Sequence, residues 1–133
     1  MIIKKKITII QYHKPLRHNL NEELQWFGQS LGLFGERDKD KSCFRVFLEL
    51  LKAVKEQKIL SSDELALKTE LSRGTIVHHL NELMKKGIVI TEGKKYVLRE
   101  RELLLLVDSL EKDFENVFER LRKSAEVIDK ILE

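Results

Sequence analysis

The chain of 133 residues is poor in the residues that form loops and cross-links: it has one cysteine, one proline and six glycines. A single cysteine, Cys43, excludes an internal disulfide and is typical of a reducing compartment, so we expect a cytoplasmic protein with a buried, inert thiol. The scarcity of proline and glycine excludes long flexible linkers. Regular structure, mostly helix, should therefore account for most of the chain.

Long apolar runs and catalytic motifs are also missing from the sequence. Residues 1–10 are basic at the start, but they alternate like a strand and lack the apolar core and cleavage site of a secretory signal. We therefore interpret residues 2–11 as a strand, with Lys4–Lys6 as either a solvated face or an accessory contact, and expect no membrane partner. Without a glycine-rich phosphate loop, a nucleophile elbow or a paired metal motif, we predict no enzyme activity, cofactor or metal.

Charge is distributed unevenly, although the net charge is only +3. Residues 1–18 carry five Lys or Arg and no acid, and residues 68–101 carry eight against four acids. Acids prevail elsewhere, with seven bases against nine acids in residues 19–67 and five against nine in residues 102–133. Because lysine and arginine neutralise phosphates, this pattern favours a nucleic-acid binder that turns its basic side to its target.

Apolar residues at helical spacing predict two helices in the first half of the chain. The first follows a capping asparagine, Asn19 or Asn21, and ends in a glycine-containing charged loop. The second runs from Ser42 to about Lys55. The apolar positions are Leu20, Leu24, Phe27 and Leu31 in the first helix and Phe44, Phe47, Leu48, Leu51 and Val54 in the second.

Two shorter amphipathic helices follow, joined by a tight turn. Ser62 is placed to cap the first, and Asp63 and Glu64 then lie favourably at its positive end. Ser72 is placed to cap the second. The core face of this second helix consists of Ile76, Leu80 and Leu83, which stand at positions i, i+4 and i+7.

A short β-hairpin is predicted directly after these helices. Gly87 ends the second helix, and two β-branched or aromatic runs, residues 88–90 and 96–98, flank a turn at Gly93. A helix, a tight turn, a second helix and a hairpin form the layout that presents a helix to a DNA major groove. The second helix is therefore the candidate recognition helix.

The polar side of this recognition helix carries residue types that can read bases. Arg73 can donate two hydrogen bonds to guanine, and Asn81 can pair with adenine. Thr75 and Val77 can contact a thymine methyl group. With His78, which shares this side, these residues are the predicted base contacts.

Other polar residues are assigned to phosphates, which position a protein on DNA without specifying sequence. The predicted phosphate contacts are Ser72, Lys94, Lys95 and Arg99. His78 and His79 are adjacent, so their side chains should point about 100° apart on a helix. We therefore expect one histidine in the groove and one partly packed, rather than a pair of metal ligands.

Residues 71–80 (LSRGTIVHHL), followed by Leu83 and residues 86–89 (KGIV), resemble the recognition helix of winged helix-turn-helix transcription regulators of the ArsR-like superfamily, especially archaeal members. The resemblance covers about residues 42–99. It implies a three-helix domain with a β wing, usually dimeric, with the recognition helix in the major groove and the wing beside the backbone. Metal sensors of this superfamily carry paired cysteines before the turn, and residues 63–66 have none, so we do not expect metal sensing.

Residues 99–133 contain no glycine or proline and predict one long helix. Apolar residues recur with alternating spacings of three and four, interrupted once by Ser124, which is the heptad pattern of a coiled coil. We expect this helix to form a homodimer; the alternative is that it folds back on the first helix. The predicted interface residues are Val107, Leu110, Phe114, Val117, Leu121, Ile128 and Ile131.

These patterns together predict a mainly α fold with a small β wing, a winged helix-turn-helix. Its parts would be an N-terminal strand and helix (1–41), a DNA-binding domain (42–99) and a coiled-coil-like dimerisation helix (100–133). The function predicted is a homodimeric regulator that binds specific double-stranded DNA, with no cofactor. The alternative is a winged-helix scaffold for protein contacts in a transcription or replication assembly. A small-molecule effector that binds between the first and last helices is a further possibility.

Overall fold

Five helices and one two-stranded hairpin make up the regular structure in a computed structural model that describes residues 9–14, 18–34 and 40–133. The chain divides into two compact units, residues 1–99 and residues 100–133. The elements in chain order are α1 (Leu20–Ser30), α2 (Ser42–Lys55), α3 (Ser62–Thr69), α4 (Arg73–Lys85), β1 (Val89–Glu92), β2 (Lys95–Leu98) and α5 (Leu103–Leu132).

The segment before α1 differs from its prediction. Most of the expected strand, including Lys4–Lys6, lies outside the described residues, and residues 9–11 have no regular structure, so the strand prediction is wrong there. The backbone N–H of Ile10 donates instead to the carbonyl of Ser30 at 3.0 Å. The indole Nε1 of Trp26 donates to the carbonyl of Tyr12 at 3.3 Å. These bonds hold the segment against α1.

Helix α1 begins where the sequence predicts, because the Asn19 side chain accepts a hydrogen bond from the backbone N–H of Glu22 at 2.8 Å. The predicted bounds of α2 are confirmed as well, and Phe44, Phe47 and Val54 of its predicted face are buried. Leu48 and Leu51 are only half-buried. Residues that the stripe omitted are buried, namely Cys43, Val46, Leu50 and Ala53. Neighbouring elements cover α2 on more than one side, so its core face is broader than one stripe.

Aromatic rings join α1 and α2 into one core. The rings of Phe27 and Phe47 are stacked at 6.4 Å, and those of Phe34 and Phe44 meet edge to face at 5.0 Å. Gly28 allows the two helices to approach, since a Cβ atom there would lie 2.6 Å from Cε2 of Phe44. Helix α1 therefore contributes to the same core as α2.

Helix α3 is capped one residue earlier than predicted. The N-cap is Ser61, whose hydroxyl accepts from the backbone N–H of Glu64 at 3.1 Å, while the Glu64 carboxylate accepts from the backbone N–H of Ser61 at 3.3 Å. This reciprocal pair is a capping box, and it overrides the neighbouring serine because only the Ser61 spacing satisfies both groups. At the other end, Glu70 takes a left-handed conformation (φ 59°) that turns the chain towards α4.

The hairpin is antiparallel and pairs Val89 with Leu98 and Glu92 with Lys95, which leaves a two-residue loop. Gly93 in that loop has φ 62°, a value that glycine adopts without steric cost. Leu60 extends the sheet by one residue, since its N–H and carbonyl both bond to Tyr96. Two helices joined by a turn and followed by a hairpin confirm the predicted winged helix-turn-helix fold.

The second unit consists of α5, the three residues before it and Glu133 after it. The helix begins at Leu103 rather than at residue 99, because the N–H of Arg99 donates to the carbonyl of Ile88 and prolongs the hairpin. Its 30 residues span about 45 Å at the rise of an α-helix. Leu106 and Leu110 are its buried residues.

Candidate nucleic-acid interface

Helix α4 has one fully buried face and one open face. Ile76, Leu80 and Leu83 have no solvent-accessible surface, as the sequence predicts. These residues fix the rotation of the helix about its axis, so the opposite side must face solvent. The residues exposed there are Arg73, Gly74, Val77, His78 and Asn81. Four of the five predicted base-contacting residues therefore share one accessible surface.

Thr75, the fifth of these residues, takes part in the start of the helix. The Ser72 hydroxyl accepts from the backbone N–H of Thr75 at 3.2 Å and donates to the Thr75 hydroxyl at 2.8 Å. Ser72 is thus the N-cap that the sequence predicts. Because its hydroxyl is engaged and its side chain is half-buried, Thr75 is less accessible than its neighbours.

The two histidines of α4 have different surroundings, although their ring centroids are only 5.4 Å apart. His78 is exposed, whereas His79 is half-buried and its Nε2 is hydrogen-bonded to the Ser42 hydroxyl at 2.6 Å. This bond links the recognition helix to the first residue of α2. Within residues 9–14, 18–34 and 40–133, no group of three His, Cys, Asp or Glu side chains could hold a metal ion.

The wing supplies two of the three cations predicted to contact phosphates. Lys94 lies in the hairpin loop and Lys95 begins β2, and both are exposed. Arg99 is half-buried, and its Nη1 donates to the carbonyl of Gly87 at 3.4 Å. One of the Arg99 donors is therefore already used to hold the hairpin to the end of α4.

Two acids of α3 lie beside cations of α4 and of the wing. The sequence does not predict this arrangement. Oδ1 of Asp63 lies 3.7 Å from Nε of Arg73, and Oε1 of Glu64 lies 3.5 Å from Nζ of Lys95. From the sequence, both acids are expected only at the positive end of α3. The spacing from Ser61 to Glu64 is a signal that could have predicted the capping box, but nothing in the sequence places α3 beside the wing.

Glu64 is held in its charged form. Hydrogen bonds from Ser61, first from its backbone N–H and then from its side chain, lower the pKa of Glu64, and Lys95 acts in the same direction. A carboxylate with a lowered pKa stays ionised at neutral and mildly acidic pH. Lys95 therefore always has a negative charge beside it under physiological conditions.

Helix α5 carries a second candidate surface, which is apolar. Five of its seven predicted interface residues are between 40% and 73% exposed, whereas Phe114 is half-buried and Leu110 is already buried in the single chain. The five exposed residues are Val107, Val117, Leu121, Ile128 and Ile131. Three further apolar side chains are exposed in the C-terminal two-thirds of the helix, namely Phe118, Val127 and Leu132.

None of the described helices combines the length and apolar character needed to cross a membrane. The apolar side chains of α5 alternate with charged ones along the sequence, as in an amphipathic helix.

A family model described as "Bacterial regulatory protein, arsR family" matches residues 48–91. The matched segment begins within α2, contains the whole of α3 and α4, and ends within β1. It includes the residues on which the sequence resemblance was based. No curated protein and no solved structure matches the chain.

Proposed function

We propose that the chain acts as a homodimer that binds specific double-stranded DNA sequences. The match of residues 48–91 to the arsR-family model supports DNA binding and transcription regulation. The observation that carries this proposal is the open side of α4. Polar side chains able to reach bases are exposed there, while the apolar side of the helix is fully buried. A helix held in this way presents a fixed set of donors and acceptors to the major groove.

In this proposal, base identity is read from the first three turns of α4. Arg73 forms a bidentate contact to guanine, and Asn81 forms one to adenine; each such pair is worth about 1–3 kcal/mol of discrimination. Val77, which is 38% exposed, contacts a thymine methyl group. Thr75 and His78 complete the set, with Thr75 offering its methyl group because its hydroxyl bonds to Ser72.

Phosphate contacts come from residues at the edges of this surface. Lys94 and Lys95 extend from the wing, and Ser72 stands at the start of α4, where the positive end of the helix also favours a phosphate. Arg99 contributes less than the two lysines, because it is half-buried and already bonded to Gly87.

The homodimer is supported by the exposed apolar side chains of α5. Monomeric proteins rarely expose large contiguous apolar patches, and a heptad pattern is covered when two helices pair. A twofold dimer also allows two recognition helices to enter successive major grooves about 34 Å apart. Each protomer then reads one half of a pseudo-palindromic site.

The experiment that tests the DNA-binding proposal is selection of bound duplexes from a random pool, followed by affinity measurements on the selected site at several salt concentrations. Arg73→Ala should weaken binding by about 1–3 kcal/mol and relax one base preference. Lys94→Ala should weaken binding to all sequences. It should also reduce the slope of log affinity against log salt concentration by about one. Lys112→Ala, which removes the same charge from α5, is the matched control.

Two results would contradict the proposal. Equal loss of specificity in Arg73→Ala and Lys94→Ala would show that the two residues do not divide the task into base and phosphate contacts. Selection that enriches no sequence at low salt would instead favour the alternative function, a scaffold for protein contacts.

A further inference from the structure

The DNA-facing surface contains two carboxylates, each beside one of its cations. Asp63 lies beside Arg73 at 3.7 Å, and both side chains are 74% exposed. Glu64 lies beside Lys95 at 3.5 Å, with both side chains close to half exposed. Both acids belong to the first turn of α3, so one short segment contacts the start of the recognition helix and the wing together.

This placement is unfavourable for general affinity to DNA. The positive end of a helix normally attracts phosphate, and here it carries two acids instead. A carboxylate beside a cation reduces the number of phosphates that the protein can neutralise, and that number sets nonspecific affinity. Exposed ion pairs contribute little to folding stability, so pairing with Arg73 and Lys95 adds little to the stability that the capping box and the helix end already provide.

We propose that two acids of α3 adjust DNA binding: Asp63 sets specificity through its contact with Arg73, and Glu64 lowers affinity for all duplexes by competing with phosphates for Lys95. This proposal rests on the DNA-binding function proposed above. It concerns two acids that lie outside the recognition helix and the wing. These acids make no base contact themselves.

The two acids act differently because their partners differ. Asp63 faces the Nε atom of Arg73, which leaves both terminal nitrogens of the guanidinium free to contact guanine. Arg73 can therefore keep Asp63 and bind its base together. Lys95 has one ammonium group, and that group lies beside Glu64. Whatever the DNA sequence, a phosphate must draw this ammonium group away from Glu64.

Glu64 is well suited to this competition, since the capping box holds its carboxylate in place. The same bonds keep it ionised. Asp63 carries its charge next to Arg73, the residue that reads guanine. When Arg73 finds no guanine, the Asp63 carboxylate and the nearby phosphate backbone repel each other. Nonspecific complexes are weakened by both acids.

The test measures affinity for the selected site and for a scrambled duplex of equal length, each at several salt concentrations. Glu64→Gln keeps the capping oxygen but removes the charge. It should tighten binding to both duplexes by up to about fivefold, the strength of an exposed ion pair, and steepen the salt slope by about 0.9. Asp63→Asn should tighten binding to the scrambled duplex alone and so lower the ratio of the two affinities.

Glu22→Gln is the matched control, because Glu22 is an exposed acid in the first turn of α1, which carries no proposed DNA contact. It makes the same change of net charge. Double variants locate the effect: Asp63→Asn should have no further effect in an Arg73→Ala background, nor Glu64→Gln in a Lys95→Ala background.

Each outcome decides between the two proposals. In one outcome, wild-type protein selects a site, but Asp63→Asn and Glu64→Gln change the affinities no more than Glu22→Gln does. That outcome overturns the role of the acids and leaves the DNA-binding function intact. Wild-type protein that binds no duplex at low salt overturns the DNA-binding function itself. Persistence of the Glu64→Gln effect without Lys95 would show that the acid acts on phosphates directly, contrary to the proposed competition.

Discussion

Helices α4 and α5 both bury only part of their surface, but they expose opposite chemistries. Helix α4 buries three of its 13 residues, and Val77 is its one large apolar side chain that is exposed. Helix α5 buries two of its 30 residues and exposes large apolar side chains along most of its length. The exposed side chains of α4 are mostly polar and suit contact with water, whereas many of those of α5 are apolar.

The comparison indicates what kind of partner each helix lacks. Burying one leucine or isoleucine side chain fully is worth about 1.5–3 kcal/mol, so the exposed apolar side chains of α5 favour association with another apolar surface. Burial against an apolar surface gives no such gain in free energy to the cations and amides of α4. These groups favour a polar, negatively charged partner. The following predictions test this contrast.

The largest expected effect is on the buried side of α4. Leu80→Ala should lower the free energy of unfolding by about 2–5 kcal/mol, because Leu80 is fully buried and its loss leaves a cavity. Trp26 is the single tryptophan and lies in α1, so its fluorescence during urea unfolding reports on the first unit.

Asn81→Ala is the control on the open side of the same helix and should change stability by no more than about 0.5 kcal/mol. An equally large loss in Asn81→Ala would show that α4 has no open side.

The second prediction concerns the apolar side of α5. Leu121 is 57% exposed, so Leu121→Asp should leave the unfolding of the first unit unchanged. It should halve the mass seen in sedimentation and weaken DNA binding roughly 100-fold or more, because two linked half-site contacts become one.

Glu119→Gln, a charged position of α5 outside the heptad stripe, should alter neither mass nor affinity. A dimer that persists in Leu121→Asp removes this side of α5 from the interface.

A smaller effect is expected at the start of α3. Ser61→Ala removes the capping hydroxyl and should cost about 1 kcal/mol of unfolding free energy. Ser62→Ala, one residue later, should change stability by less than about 0.5 kcal/mol. The two variants, compared by urea unfolding, distinguish the observed cap from the one that the sequence predicts; a larger loss in Ser62→Ala would contradict the observed cap.

The smallest effect is a pH dependence at Glu64. Because folding lowers the pKa of Glu64, its stabilising contribution is present above its unfolded pKa of about 4.3 and is lost as pH falls through the lower folded value. Glu64→Gln should therefore be slightly less stable than wild type at neutral pH. The urea midpoints of the two proteins should converge as pH falls below the lowered pKa. A gap of constant size at neutral and acidic pH would show that charge has no part in the effect.

With the exception of the α3 cap, features fixed by local chemistry could be predicted from the sequence, and features that depend on tertiary neighbours could not. Asn19, Ser72 and Gly93 were placed correctly because caps and tight turns follow from a few adjacent residues. The buried face of α2 is predicted only in part, because a helix covered on several sides does not follow one apolar stripe.

The candidate site divides in the same way. The open side of α4 follows from its period, so Arg73 and Asn81 could be assigned from the sequence. The neighbours of Arg73 and Lys95 could not, because Asp63 and Glu64 reach them only through the packing of α3 against α4 and the wing. Contacts between separate elements carry no sequence signal of their own.

The wing is short, and its length limits how far each protomer extends along its target. Its strands have four residues each, joined by two, which gives a reach of about 13 Å at the rise of a β-strand. On a duplex this distance corresponds to about four base pairs at 3.4 Å each. In the complex proposed above, the hairpin length would set the outer boundary of a protected footprint, and lengthening the loop at Gly93 would move that boundary outward.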